Sequence, residues 1–149
     1  MLIKNAHVID PANSIDDTLD ILIEDGCISG LGDSLGYTGD EIIDASGLIA
    51  APGLVDVHTH FRDPGQTEKE TLHTGALAAA AGGYTSVICM ANTVPAVDTV
   101  DTLSDILDRA IREEIHIYQT SAVTVGRAGR ELVPMEELAA AGAAGFTDD

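Results

Sequence analysis

Four apolar segments begin near residues 54, 85, 115 and 144, a period of about 30 residues, and this spacing constrains the fold more than any other feature. About 30 residues is the length of one strand, one crossover helix and their loops, and repetition of that unit implies a parallel sheet. The intervening segments read as helices. An Ala-rich run reaches Ala81 and is stopped by Gly82-Gly83, with Thr67-Glu-Lys-Glu70 fitting a capping box at its start. A second helix is predicted over about Val100–Glu113, with Val100, Leu103, Leu107, Ala110 and Ile111 on one face. Pro134 with Glu136-Glu137 behind it opens a third, which Gly142 ends. Ala143–Thr147 begins the fourth strand. Three and a half units are present, whereas a (β/α)8 barrel needs roughly 200 residues or more. The expected fold is α/β, as an open parallel sheet or as the first part of a (β/α)8 barrel truncated at its fourth strand.

Residues 1–52 have a different rhythm. Short strands at Leu2-Ile3, His7–Ile9, Leu19–Ile23, Cys27–Leu31, Glu41–Asp44 and Leu48–Ala51 are joined by turns at Asp10-Pro11, Asp25-Gly26 and Ala45–Gly47. They predict the N-terminal part of a small β-sandwich domain, with the barrel segment occupying 53–149. His7 reads as a surface or packing residue, and Cys27 and Cys89 as small core residues rather than a disulfide, because nothing resembles a secretion signal.

The chemistry gathers around Leu54–Gly65. Side chains alternate along a strand, so Leu54, Asp56, His58 and His60 are expected on one face and Val55, Val57 and Thr59 on the other. Two imidazoles at a strand end can bind one metal ion side by side, and Asp56 is placed to orient one of them. Active sites of parallel barrels lie at the C-terminal ends of the strands. His58 and His60 fall there after the first strand, Asn92 after the second, and Asp148 and Asp149 after the fourth. His73 and His116 read as helix-surface and packing residues. Gly126–Arg130 has no Lys-Ser/Thr of a phosphate loop and reads as a flexible loop at the mouth of the site.

The net charge of −18 excludes general affinity for nucleic acid or anionic membranes, which needs Lys/Arg clusters. An anionic substrate would need a local positive site. No window approaches the roughly 20 apolar residues of a membrane span, and the expected location is cytoplasmic.

Asp56-x-His58-x-His60, followed by Arg62-Asp63-Pro64-Gly65 and Thr67-x-Lys69-Glu70, resembles the cyclic amidohydrolases and, within them, the long bacterial dihydroorotases. Met90-Ala-Asn-Thr93, where the family usually has Met-Pro-Asn-Thr, and Gly145-Phe-Thr-Asp-Asp149 extend the resemblance along the whole chain. The resemblance implies zinc-dependent, reversible hydrolysis of the cyclic amide dihydroorotate to N-carbamoyl-L-aspartate in pyrimidine biosynthesis. It implies one or two Zn2+ ions held by His58, His60 and Asp149, with Asp149 replacing the carboxylated lysine of many relatives and Asp148 not a ligand. Arg62 and Asn92 match the residues that hold the substrate carboxylate, with Ala91 loosening the loop that aims Asn92. The proton-shuttling Asp and two further histidines are expected downstream of residue 149, so the chain alone is expected to be inactive. A homo-oligomer at full length and association with aspartate transcarbamoylase are further implications. Alternatives are allantoinase, hydantoinase, or a non-catalytic dihydroorotase-like subunit of aspartate transcarbamoylase.

Overall fold

The computed structural model describes residues 1–149, which divide into two units, Met1–Pro52 and Gly53–Asp149.

The first unit is a five-stranded sheet. β1 (Leu2–Asp10) pairs antiparallel with β2 (Ile15–Glu24), and β2 with β3 (Cys27–Gly32). Two short strands, β4 (Ile42–Asp44) and β5 (Ile49–Ala50), run parallel to β1. The β2–β3 turn places Asp25 and Gly26 at φ of 50° and 74°, the left-handed pair that matches the twist of a two-residue hairpin. β1 is continuous where two strands were expected, because a bulge between Ile3 and Ala6 absorbs the polar Lys4-Asn5 pair. Asn5 stands at φ of 59°, and the buried carboxylate of Asp20 accepts its N–H at 3.0 Å and that of Leu35 at 3.2 Å. Ala6, Val8, Ile21 and Ala45 form a small core. Cys27 is exposed, not a core residue, because it opens the edge strand β3 directly after the turn. His7 is a surface residue whose Nε2 lies 2.6 Å from Asp16 Oδ1.

The second unit is a three-stranded parallel sheet in the order β6 (Leu54–Thr59), β7 (Tyr84–Cys89), β8 (His116–Gln119). Helices α1 (Leu72–Ala81) and α2 (Val100–Ala110) make the crossovers, and α3 (Met135–Ala140) follows β8. Their apolar faces bury Leu72, Ala76, Leu103, Ile106 and Leu138 against Phe61, Val87, Cys89 and Ile117. Gly75 is required here by space: a Cβ would overlap the Phe61 ring. The other sheet face is open, with Val55 59%, Val57 66% and Tyr118 49% exposed. No helix is long and apolar enough to cross a membrane.

Three local expectations are corrected. Helix α1 starts at Leu72, not in Thr67–Glu70. The capping box is Thr71–Thr74, in which Thr71 Oγ1 accepts from Thr74 N at 3.0 Å and Thr74 Oγ1 from Thr71 N at 2.9 Å. Residues 67–69 are exposed polar turn residues, and the first side chain with a core to enter is Leu72. His116 is exposed beside Tyr118 rather than packed, because β8 turns Ile117 and Gln119 toward the helices. Ala143–Thr147 lies beside the end of β8 through Ala144 N to Gln119 O, Ser121 N to Gly145 O and Thr147 N to Ser121 O, each 2.9 Å. It is a single parallel bridge at Phe146, not a strand. The ladder stops because the N–H of Val123, next in line, donates to the Asp148 side chain at 2.8 Å.

Asp63 ties the layers together. Its buried carboxylate accepts from Arg109 Nη1 on α2 at 2.7 Å and from Leu72 N at the start of α1 at 3.3 Å. Breaking a buried pair leaves an uncompensated charge, moderated here because the Arg109 side chain is 36% exposed. Asp63→Ala is expected to lower unfolding free energy by about 2 kcal/mol, read from the urea midpoint, with Asp63→Asn losing less because it can still accept from Leu72.

Candidate metal centre

Strict alternation does not survive to the end of β6. Asp56 pairs with Val87 and Thr59 with Cys89, so three steps on β6 span two on β7. The extra residue is a bulge over Val57-His58. It puts Asp56 and Thr59 beside the residues of the buried face, and His58 and His60 toward the open one. Asp56 therefore does not share the histidines' face. Its Oδ1 accepts from the backbone N–H of His58 at 3.0 Å, so it orients the chain rather than a ring. Thr59 Oγ1 donates to Ile88 O at 3.1 Å, and Thr59 O accepts Met90 N at 2.8 Å, which fixes the strand end between the two imidazoles.

The imidazole rings stand 5.1 Å apart, and both Nε2 atoms converge on Asp149. His58 Nε2 lies 2.9 Å and His60 Nε2 3.4 Å from Asp149 Oδ2. The three donors lie within 4.8 Å of one another. Donors bound at about 2.05 Å to tetrahedral zinc are separated by about 3.3 Å, so small side-chain shifts would bring this set onto a metal. Two imidazoles and one carboxylate form a borderline donor set suited to zinc, and three protein ligands leave the open position of a catalytic site. His58 and Asp149 are exposed and His60 is half-buried, so a small molecule can approach.

Asp148 does a different job. Its carboxylate accepts from Val123 N at 2.8 Å, Thr124 N at 3.0 Å and Thr124 Oγ1 at 2.7 Å. The Thr124 hydroxyl and the backbone N–H groups hold it below the usual carboxylate range. Thr124 Oγ1 accepts from Gly129 N at 2.8 Å, and Asp98 Oδ2 from Gly126 N at 2.7 Å. The loop over 126–130, expected to be flexible, is thus pinned around a 3-10 turn at Val125–Arg127. Arg127 Nη1 donates to Asp149 O at 3.0 Å. Sequence reasoning missed Thr124, which no local signal marks, and reached Arg127 only as part of the loop at the mouth of the site.

Asn92 Oδ1 lies 3.0 Å from His60 Nδ1, a contact absent from the sequence reading. Its loop is not loosened by Ala91, which is fully buried and accepts Val97 N at 3.1 Å, while Val94 N donates to Pro64 O at 3.1 Å. Arg62 forms no ion pair within the chain, and its neighbour Asp63 is engaged by Arg109. Its guanidinium does not join the hydrogen-bonded cluster. His73 is on the α1 surface with Nδ1 2.9 Å from Glu113 Oε2.

Cys89 lies under the site on the buried face. Burial pushes its thiol up to about 11, against a smaller opposing hydrogen-bond contact with the Thr59 hydroxyl. The thiolate is the reactive form. In native protein at pH 8, a disulfide reagent should therefore modify exposed Cys27 rapidly and Cys89 only on denaturation, read as one fast thiol from these two positions and then a second.

A family model described as "Dihydro-orotase-like" matches residues 47–149. Over the whole chain, a dihydroorotase of Streptococcus pneumoniae serotype 4 is 48% identical and one of Clostridium acetobutylicum 51% identical. The chain spans 35% of the length of each. Among solved structures, an L-hydantoinase (dihydropyrimidinase) of Arthrobacter aurescens superposes over 97% of this chain and 32% of its own, with a TM-score of 0.83 and 24% identity. A D-hydantoinase (dihydropyrimidinase) of a Thermus species covers 83% of this chain and 27% of its own, with a TM-score of 0.65 and 28% identity.

Proposed function

The chain belongs to the dihydro-orotase-like family, and from that premise we propose that it contributes the first metal ligands and part of the substrate site of a cytoplasmic, zinc-dependent dihydroorotase. The observation that carries this reading is the convergence of His58 Nε2, His60 Nε2 and Asp149 Oδ2. His58 and His60 stand together at the end of β6, and Asp149 lies 91 residues after His58, beyond the segment that bridges the end of β8, at the end of the sheet where such folds build sites. On this reading residues 1–52 contribute to a β-sandwich domain and residues 53–149 to a (β/α)8 barrel.

His58, His60 and Asp149 would hold the zinc. When bound, the ion would supply Lewis acidity to activate water and to polarise the amide carbonyl of the ring. The chain's own groups do the rest. Arg62 offers a planar guanidinium that no carboxylate of the chain occupies, suited to bidentate capture of the substrate carboxylate. With a net charge of −18, such a local cation is what lets an acidic protein retain an anionic substrate. The Asn92 amide faces the same strand ends and can donate its N–H groups to that carboxylate. The substrates on this reading are the small anions dihydroorotate and N-carbamoyl-L-aspartate. The relatives at 48–51% identity are named dihydroorotases, whereas the hydantoinase structures are 24–28% identical, which favours dihydroorotate over hydantoins.

The test is to assay the full-length gene product with dihydroorotate, hydantoin and allantoin. Turnover of dihydroorotate at least about a hundredfold above the other two, in kcat/KM, is expected, since a site built to pair a carboxylate rejects rings lacking it. Turnover of hydantoin or allantoin alone would contradict the assignment.

A further inference from the structure

We propose that Asn92 is a positioning residue for His60, with its side-chain oxygen holding the imidazole in the tautomer that leaves Nε2 free to bind metal. The inference rests on the metal-site reading above and adds a role for a residue otherwise assigned to the substrate.

The geometry is specific. Asn92 Oδ1 is 3.0 Å from His60 Nδ1, while the other ring nitrogen, Nε2, is turned toward Asp149 Oδ2 at 3.4 Å. A carbonyl oxygen only accepts, so Nδ1 must carry the proton. Neutral imidazole has one N–H, and protonating Nδ1 leaves a lone pair on Nε2, the atom that faces the other two donors. The hydrogen bond also fixes ring rotation, which a ligand at a strand end would otherwise retain.

His58 has no counterpart to this support. Its only side-chain hydrogen bond is from Nε2 to Asp149, at 2.9 Å, so its ring is oriented from the donor side of the site alone. Of the two histidines, His60 is the preorganised one. The support for Asn92 comes from the loop after β7. Met90 N bonds Thr59 O at 2.8 Å, Ala91 is fully buried, and Val97 N bonds Ala91 O at 3.1 Å. Backbone ties on both sides thus hold Asn92 against the strand end that carries His60. The general effect of such outer-shell partners on metal affinity is about 10–100-fold.

Two substitutions separate this role from substrate binding. Asn92→Asp keeps an acceptor oxygen for His60 Nδ1 and removes the amide donors. Asn92→Leu has similar bulk and removes both. The full-length gene product is stripped with chelator, the tautomer of His60 is read from imidazole 15N shifts, and Co2+ is titrated by its visible absorption. The unsubstituted protein and Asn92→Asp should show His60 as the Nδ1–H form and bind Co2+ within about threefold of each other. Asn92→Leu should show mixed tautomers and bind Co2+ at least about tenfold more weakly. Equal Co2+ affinity and an unchanged tautomer in Asn92→Leu would overturn the proposal. So would equal weakening in both variants, since the acceptor oxygen would then not be what matters. Failure of the unsubstituted protein to bind Co2+, with His60 still in the Nδ1–H form, would instead overturn the metal-centre reading on which the proposal rests.

Discussion

Asp149→Ala in the full-length gene product is expected to weaken zinc binding by more than about a hundredfold and to remove measurable dihydroorotate hydrolysis. The carboxylate is the only acid whose oxygen approaches both imidazoles, at 2.9 and 3.4 Å. Loss of an outer-shell partner alone costs about 10–100-fold in metal affinity, and loss of a ligand should exceed that. Asp148→Ala is the control that fixes the register. Its carboxylate points back at Val123 and Thr124, so its removal frees the loop over 123–129 while leaving the three donors in place. The expected loss of zinc affinity is smaller than for Asp149→Ala by at least about tenfold. Because the Asp148 pKa is lowered in the folded protein, its contribution to stability is fully present above the ordinary carboxylate pKa. It is lost only as pH falls through the depressed value. Protease cleavage within 123–130 should therefore increase with acidification below the ordinary carboxylate range in unsubstituted protein, and should be high at neutral pH in Asp148→Ala. If Asp148→Ala abolished zinc binding and Asp149→Ala did not, the assignment of the two acids would be reversed.

The second large effect concerns the 149-residue polypeptide expressed alone. One face of its parallel sheet presents Val55, Val57 and Tyr118, each about half exposed or more, and β6 pairs only with β7. In the N-terminal sheet, Ile28, Leu48 and Ile49 are likewise exposed. Open strand edges beside apolar surface are templates for association. At micromolar concentration with zinc present, this polypeptide is expected to sediment as a multimer or aggregate and to show no dihydroorotate turnover above background. A monodisperse monomer with turnover near that of the full-length gene product would contradict the account.

How far the sequence carried these conclusions depended on the distance over which each feature is decided. The βα period and the placement of His58, His60 and Asn92 at strand ends were legible because strand length, Gly stops and helix faces are local, whereas the fourth strand expected before the terminal acids is only a single bridge. Exposure was not legible: Leu54, Val55 and Val57 of the apolar strand are exposed, since burial depends on what lies across the face and not on the run itself. The bulge at Val57-His58 was invisible because register is set by pairing with β7, about 30 residues away. For the same reason the Asn92–His60 hydrogen bond could not be read, as it joins two loops that only the sheet brings together. The capping error had a different origin: Thr67–Glu70 and Thr71–Thr74 both offer capping chemistry, and the choice fell to where Leu72 could enter the core.

The central claim is that His58, His60 and Asp149 hold a metal ion needed for hydrolysis. The most direct measurement is dihydroorotate turnover by the chelator-stripped, full-length gene product during zinc titration. Turnover should be near zero without metal and should rise to a plateau at one or two zinc ions per chain. Undiminished turnover in the stripped protein, with no response to added zinc, would contradict the claim.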